Sequence, residues 1–273
     1  MMRAEMWRMT DTAILLPYYR RATALAQTLA SLNQEKEAFE LIIVDDGSPE
    51  PLSIQASHYD YPIKIIHLPK NLGITGALNQ GLEYILSQHY QYVARIDAGD
   101  RWVPGRLAAQ RNFLATHPDY GFVGSCVRYI HSDGSFARHW DLPLTDKEIR
   151  HFAWFNNPMF HPAVMMRAET LRRAGFYSEK YPAAEDYEYF RRLLKYGKAA
   201  NLPDRYLDCE IGVPGESISV DNYHRQIKSV IRAQMHYFNF LQWRAYAGLS
   251  YKVIHLYMPG LADWLKKHFR KYF

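Results

Sequence analysis

QYVARIDAGD, residues 91–100, is the stretch that decides the fold of this chain. Tyr92, Val93 and Ile96 make an apolar strand, which runs directly into two carboxylates, Asp97 and Asp100. Only Ala98 and Gly99 separate them. A strand that ends in small residues and acids sets negative charge at the carboxyl edge of a sheet. In open α/β sheets ligands bind at that edge. Two carboxylates there suit a divalent cation that in turn holds a diphosphate. The same residue types also make an ordinary turn, so the rest of the chain has to decide.

Upstream, strands alternate with helices. AILLP (13–17) is an apolar run of strand length, and Leu25, Leu29 and Leu32 recur at helical spacing over 21–32. ELIIV (40–44), IKIIHL (63–68) and YVARI (92–96) read as further strands, and Gly73 to Ser87 as a helix. This βαβ rhythm predicts an α/β fold with a mostly parallel sheet and helices on both faces. Downstream, RLAAQRNFLATHP predicts a helix ended by Pro118, residues 121–130 a strand, and SDGS (132–135) a hairpin turn. Thr145 with Glu148 is a capping box, so a helix begins at 145. A short strand (163–166), a helix (168–175) closed by Gly175 and a helix (186–197) closed by Gly197 follow. From about 220 onward the chain reads as helical, with aromatic and basic residues mixed.

The length of 273 residues suits one large domain or two fused halves. With 48% hydrophobic and 22% charged residues the chain can bury a real core. Its 21 tyrosines fit carbohydrate surfaces and wet interfaces as well as they fit mere Tyr-richness. The two cysteines, Cys126 and Cys209, have no metal-ligand spacing and imply no disulfide framework, which favours a reducing compartment. No secretory signal precedes the first strand, and no run of about 18 apolar residues predicts a membrane span. The net charge is +5, concentrated in the closing KKHFRKYF, which favours an anionic surface as partner. No nucleic-acid module accompanies it, so no nucleic-acid partner is expected.

Four segments carry candidate chemistry. In LLPYYR (15–20), Pro17 cannot extend the ladder, so the chain is expected to turn outward there. In VDDGS (44–48), Asp45 and Asp46 end a buried strand and are placed to accept hydrogen bonds from a base or ribose; turn capping accounts for one of them equally well. NLGITGALNQGL (71–82) offers close backbone approach and the amides of Asn71 and Asn79. A glycine-rich helix start also points N–H groups at anions. The fourth segment is the Asp97/Asp100 pair with Arg95 before it, whose guanidinium suits a phosphate.

These segments, followed by FVGS, HPAVMMRAETLRRAGFY and AEDYEYFRRLLKYGK, occur in order over about residues 12–220. Together they resemble the family 2 glycosyltransferases of the GT-A fold. The resemblance implies a GT-A (Rossmann-like) mixed, mostly parallel sheet flanked by helices, with a C-terminal helical extension. It implies a glycosyltransferase domain over 1–220 and a basic-aromatic helical tail over 221–273. The nucleotide-sugar half would span about 10–130 and the acceptor and base half 131–220. The implied reaction moves a hexose-type sugar from a UDP- or dTDP-sugar donor to a hydroxyl, with inversion, on a glycan or lipid-linked acceptor of surface polysaccharide synthesis.

Carried over residue by residue, Pro17 and Tyr19 line the nucleotide pocket. Asp45 or Asp46 contacts the uracil or ribose, Asn71 and Gly73 flank the base, and Arg95 lies near the diphosphate. Asp97 and Asp100 stand where the family's acid cluster binds Mg2+ or Mn2+. That cluster often reads Asp-Ala-Asp-Asp, whereas Gly99 occupies the third place here, which leaves open a water-mediated ion or weak metal dependence. Glu185–Asp186 matches the family's catalytic pair, with Asp186 the base at a helix start where the dipole favours its ionised form. Ordinary helix-start acids look the same by themselves.

His161 is a candidate for the sugar site and equally for loop packing. Trp102 and Trp140 are expected to pack, and Ser217 and Ser219 resemble an element that closes over the donor. The tail 250–273 fits an interfacial helix on anionic lipid, or a helix docked on the domain. The former implies a cytoplasmic protein in peripheral contact with the inner face of the cell membrane. Two other readings compete: a non-catalytic nucleotide-sugar-binding partner, favoured by Gly99, and a sugar nucleotidyltransferase, disfavoured because PYYRRATAL lacks a glycine-rich loop.

Overall fold

In the computed structural model, residues 10–211 and 223–268 are described, and all structural statements concern them. One sheet organises the chain. Its parallel side runs β3 (Ile63–His67), β2 (Glu40–Asp45), β1 (Thr12–Tyr18), β4 (Tyr92–Arg95) in space. Beyond β4 the pairing turns antiparallel, to β8 (Met165–Arg167) and then β6 (Tyr120–Ile130). β6 carries β7 (Phe136–Trp140) antiparallel and β9 (Lys198–Glu210) parallel, and β9 meets the two-residue β5 (Arg101–Trp102).

Strands covered on both faces need apolar residues at every position, and β1 and β2 have them. Ile14, Leu16, Leu41 and Ile43 face α1 (Ala22–Leu32) and α3 (Arg106–Thr116), packing on Leu25, Leu29, Leu107 and Leu114. Leu15, Ile42 and Val44 face the other way, toward Leu78, Leu82 and Ile85 of α2 (Gly73–Ser87). On that face lie also α5 (Ala168–Ala174) and α6 (Glu185–Leu193), through Leu171 and Phe190. Gly81 lets α2 approach closely: a Cβ there would lie 2.3 Å from Leu15 Cδ1. The expected capping box is present, with Thr145 as the cap of α4 (Asp146–Phe152).

Three details differ from expectation. β1 runs one residue past Pro17 to Tyr18. Its pairing with β4 has already ended at Leu15↔Arg95, so the missing N–H of Pro17 costs no bond on that side. The helix expected to reach Gly197 stops at Leu193, and a hydrogen-bonded turn from Arg192 to Lys195 follows it. A 13-residue strand, β9, fills residues that gave no strand signal.

The C-terminal region forms α7 (Tyr223–His236), α8 (Trp243–Tyr257) and α9 (Pro259–His268). Val230 and Ala233 of α7 pack on Tyr181, Ala184 and Tyr187 at the start of α6. Gln234 donates to the Trp154 carbonyl at 2.6 Å, and Lys252 of α8 to Asn156 Oδ1 at 3.1 Å. Among the described residues no helix is long and apolar enough to cross a membrane.

Candidate active site

β1, β2 and β4 are parallel, so their carboxyl ends share one edge, and the site is built there. Past β2, Asp45 accepts from Leu52 N–H (2.9 Å), Ser48 N–H (3.2 Å) and His67 Nδ1 (3.1 Å). Burial pushes its carboxyl up, but these hydrogen bonds together outweigh burial and hold it below its ordinary value. Asp46 accepts from Leu72 N–H at 2.7 Å, and burial leaves it raised. Both acids therefore build the loop. Asn71 Oδ1 accepts from Gly73 N–H at 3.1 Å, which shapes the entry to α2. Tyr19 follows β1, partly exposed, with the Arg20 guanidinium over its ring. Arg20 itself has φ 57°, a left-handed backbone unusual for its type.

The second group lies past β4. Arg95 is sealed from solvent, and its Nη2 donates to Asp97 Oδ1 at 2.7 Å; the Asp97 side chain is 40% exposed. A buried guanidinium thus holds an accessible carboxylate. Arg95 Nη2 also lies 3.5 Å from His161 Nδ1, and His161 Nε2 lies 2.8 Å from the Tyr177 hydroxyl. A guanidinium only donates, so Nδ1 accepts and Nε2–H donates to Tyr177. Burial, with Arg95 adding to it, holds His161 well below its ordinary value, so the ring is neutral. His161 is thereby a buried link between Arg95 and Tyr177. Asn79 of α2 grips the Tyr177 backbone through both amide atoms, 2.8 and 3.0 Å.

Asp100 is 6% exposed, and its Oδ2 has no hydrogen-bond partner. Burial first, and Asp97 second, push it up to about 8. Thr28 fixes this turn: its hydroxyl donates to the Asp100 carbonyl at 2.7 Å and accepts from Gly99 N–H at 2.9 Å. Gly99 has φ 110°, a backbone that side chains resist. Trp102 is buried, donates to Glu35 at 2.9 Å and lies under Arg106, as expected of a packing residue.

Glu185 and Asp186 open α6. Asp186 Oδ2 accepts from Asn157 at 2.7 Å and Oδ1 from Tyr187 N–H at 2.7 Å. Burial pushes Asp186 up to about 6; Arg95 opposes and Asp97 adds to the rise. Burial and the adjacent Asp186 push Glu185 up to about 7, again with Arg95 opposing and Asp97 adding. The charges past β4 and those at the start of α6 thus act on each other. Ala183, two residues before Glu185, has φ 61°, so the approach to α6 is strained for a non-glycine residue.

Sequence reasoning found the acids and missed what holds them: Thr28, Asn157 and Tyr177. No local pattern marks these residues, because each reaches the site from a distant element. Pro17, next to last in β1, pairs with Val44 at the carboxyl edge of the sheet. Ser217 and Ser219 lie outside the described residues.

A cation at Asp97 and Asp100 passes one test of fit. An orphaned, buried carboxylate oxygen on Asp100 lies three residues from an accessible one on Asp97. Among the described residues no cluster of three or more His, Cys, Asp or Glu exists. Such an ion would take its remaining ligands from substrate phosphates and water, as Mg2+ commonly does.

The model of "Glycosyl transferase family 2" matches residues 13–174. The amylovoran biosynthesis glycosyltransferase AmsE of Erwinia amylovora is 33% identical over 207 residues, covering 73% of this chain and 76% of that protein. An uncharacterized glycosyltransferase of Haemophilus influenzae is 29% identical over 184 residues, covering 66% and 67%. Among solved structures, S. aureus TarS 1-349 in complex with UDP-GlcNAc superposes with TM-score 0.63 at 16% identity, over 96% of this chain and 73% of that one. The mannosyltransferase PcManGT from Pyrobaculum calidifontis, in complex with GDP-Man and Mn2+, gives TM-score 0.62 at 17% identity, over 96% and 77%. The structural likenesses establish the GT-A fold. With the family model covering more than half of the chain, the protein is a glycosyltransferase and belongs to family 2.

Proposed function

We propose that this enzyme transfers a hexose-type sugar, with inversion, from a UDP- or dTDP-linked donor to a hydroxyl of a glycan or lipid-linked acceptor. One observation carries the reading: the charges of Arg95 and Asp97, just past β4, act on Asp186 at the start of α6. That influence supports the reading that the two acid groups of the resemblance serve one site. The TarS complex contains UDP-GlcNAc, which supports a nucleotide-sugar donor.

The acceptor oxygen attacks the anomeric carbon while the bond to the donor's diphosphate breaks. The leaving nucleoside diphosphate keeps the electron pair, and the acceptor proton passes to an Asp186 oxygen. Asp186 suits this task better than Glu185 because hydrogen bonds from Asn157 and the Tyr187 N–H fix both of its oxygens, whereas Glu185 Oε2 has no partner. It is mostly ionised at neutral pH, and the Asn157 amide aims it. The start of α6 favours that charge. Arg95 fixes the orientation of Asp97. Mg2+ or Mn2+, held by Asp97 and Asp100, would neutralise charge on the diphosphate; the Mn2+ in PcManGT supports divalent-metal use.

The nucleotide pocket would be lined by Pro17 and Tyr19, with Asp45, Asp46, Asn71 and Gly73 shaping its loop walls. The division at about 220 places the donor and base halves before it and the helical tail after it. Exposed Tyr257, Met258 and Trp264 support peripheral contact of 250–273 with a membrane, and so a place at its inner face. AmsE, by its name, serves amylovoran biosynthesis, which supports a role in surface polysaccharide synthesis.

Asp186→Asn tests the reading. Transfer should fall at least about 100-fold, the lower range of a positioned base, while titration calorimetry still detects nucleoside diphosphate binding. A near-wild-type rate removes Asp186 from the mechanism. Turnover of a panel of UDP- and dTDP-sugars, with and without Mn2+, identifies the donor.

A further inference from the structure

Arg20, two residues past β1, combines two features that an ordinary turn residue does not need. The first is its backbone, at φ 57°. A residue with a β-carbon resists this left-handed region, which glycine and asparagine enter far more readily. A chain that only had to leave β1 would turn here at less cost with either of those two. Strain of this kind gathers at ligand clamps. The turn is held by Ser48, whose Oγ accepts from Arg20 N–H at 3.2 Å, while Ser48 N–H donates to Asp45 Oδ1 at 3.2 Å.

The second feature is the guanidinium. Arg20 is exposed, and its Cζ lies 4.9 Å from the centroid of the Tyr19 ring. Among the described residues this guanidinium has no ion pair and no hydrogen bond. The acids at this edge are engaged elsewhere: Asp45 and Asp46 accept from backbone N–H groups, and Asp97 accepts from Arg95. A guanidinium carries its donors in a planar fork that matches a phosphate. Stacking on an aromatic face limits its freedom, so less is lost when it binds.

The backbone around Arg20 is tied to both neighbouring loops. Ser48 ties it to the loop after β2. The next residue, Arg21, donates from Nη1 to the Ala98 carbonyl at 3.4 Å, within the turn that carries Asp97 and Asp100. We propose that Arg20 is a donor-binding residue whose guanidinium donates to a diphosphate oxygen of the nucleotide sugar. This rests on the reading that a nucleoside-diphosphate donor lies along this edge. As the bond to the anomeric carbon breaks, the diphosphate keeps the electron pair and gains negative charge. The guanidinium releases no proton and binds the more charged group more strongly. Gly99 leaves one acid fewer beside Asp97 and Asp100, so Arg20 takes on part of the neutralisation that a cation supplies.

The experiment titrates the full chain, Arg20→Asn and Arg20→Lys with UDP and dTDP, once with Mn2+ and once with EDTA. Ligand-observed NMR follows uridine and thymidine, which lack the phosphates. Arg20→Asn should bind the diphosphate tenfold or more weakly, the size of one hydrogen bond to a charged group, with the larger loss in EDTA. Its affinity for the bare nucleoside should equal that of the parent. Arg20→Lys, which keeps the charge without the fork, should fall between the two. Without ligand, Arg20→Asn should unfold at the same temperature as the parent or higher, because asparagine tolerates the left-handed backbone. Unchanged diphosphate affinity in Arg20→Asn overturns the proposal. An equal loss for the bare nucleoside also overturns it, by moving the contact to the base, and a lower unfolding temperature assigns Arg20 to the turn itself. A parent protein that binds neither UDP nor dTDP overturns the donor reading as well, whereas a parent that binds and an indifferent Arg20→Asn overturn this inference alone.

Discussion

Arg95, sealed inside the sheet, donates to the half-exposed Asp97 at 2.7 Å, so the most buried cation of the site orients its most accessible acid. The same guanidinium opposes the burial-driven rise of Asp100, Glu185 and Asp186. Enclosed as it is, it bears on the cleft through the Asp97 carboxylate that it holds. One side chain thereby acts on both acid groups, as a smaller influence beside burial.

Arg95→Met should show this as a change in pH dependence as well as in rate. Without the guanidinium Asp97 loses its alignment, and misplacement near 1 Å costs roughly 100-fold in a positioned reaction. Asp186 also loses its main opposing positive charge, so its proton is held more tightly. The acidic limb of the kcat/KM profile should move to higher pH. A variant that is slower with an unmoved limb would assign Arg95 to packing alone.

The wild-type profile is itself expected to have its acidic limb near pH 6. Asp186 is raised to about 6, chiefly by burial. The charged and titratable groups around it are Glu185, Arg95, Asp97, Lys252 and His255. Below that pH the base carries a proton and cannot accept another, so kcat/KM should fall about tenfold per pH unit. Above it the rate should level off. A rate constant across pH 5 to 7 would show that no group with this titration takes the proton.

Gly99 stands where the family often has an acid, and its backbone explains the exchange. At φ 110° a side chain is strained whatever space surrounds it. Gly99→Asp should therefore cost about 1–3 kcal/mol, and thermal unfolding should fall by several degrees. Added metal affinity in the apo protein without a loss of stability would contradict this account.

What the sequence revealed follows from which forces are local. β1 and β2 were legible because strands buried on both faces need unbroken apolar runs, and α2 was legible at both ends from glycine and apolar spacing. β9 was not. Its KAANLPDRYLDCE carries Pro203 and several charges, and its register against β6 breaks between Leu202 and Arg205. Only the partner strand makes it a strand. The acids of the site were visible as residue types, whereas Asn157, after α4, and Tyr177, after α5, gain meaning only through their contacts with Asp186 and His161.

The C-terminal helices supply the last prediction. The sequence pointed to 250–273 as the membrane contact, and part of that segment, 269–273, lies outside the described residues. The structure adds a second apolar surface before it. Between α7 and α8, Phe240 is 79% and Leu241 95% exposed, with Trp243 and Tyr246 exposed beside them. Residues 223–273 hold nine Lys or Arg and a single Asp, in a chain whose net charge is only +5. Exposed aromatic and aliphatic side chains within a basic region suit insertion at an anionic lipid surface. Each such side chain gains up to about 1.5–3 kcal/mol when fully withdrawn from water. Replacing Phe240, Leu241 and Trp243 together by Ser should therefore weaken sedimentation with phosphatidylglycerol vesicles by tenfold or more and leave nucleotide binding intact. Truncation after Asn222 should release the protein entirely, but it also strips α7 from α6, so the triple substitution is the cleaner test. If both proteins sediment with vesicles as the parent does, the lipid contact lies elsewhere.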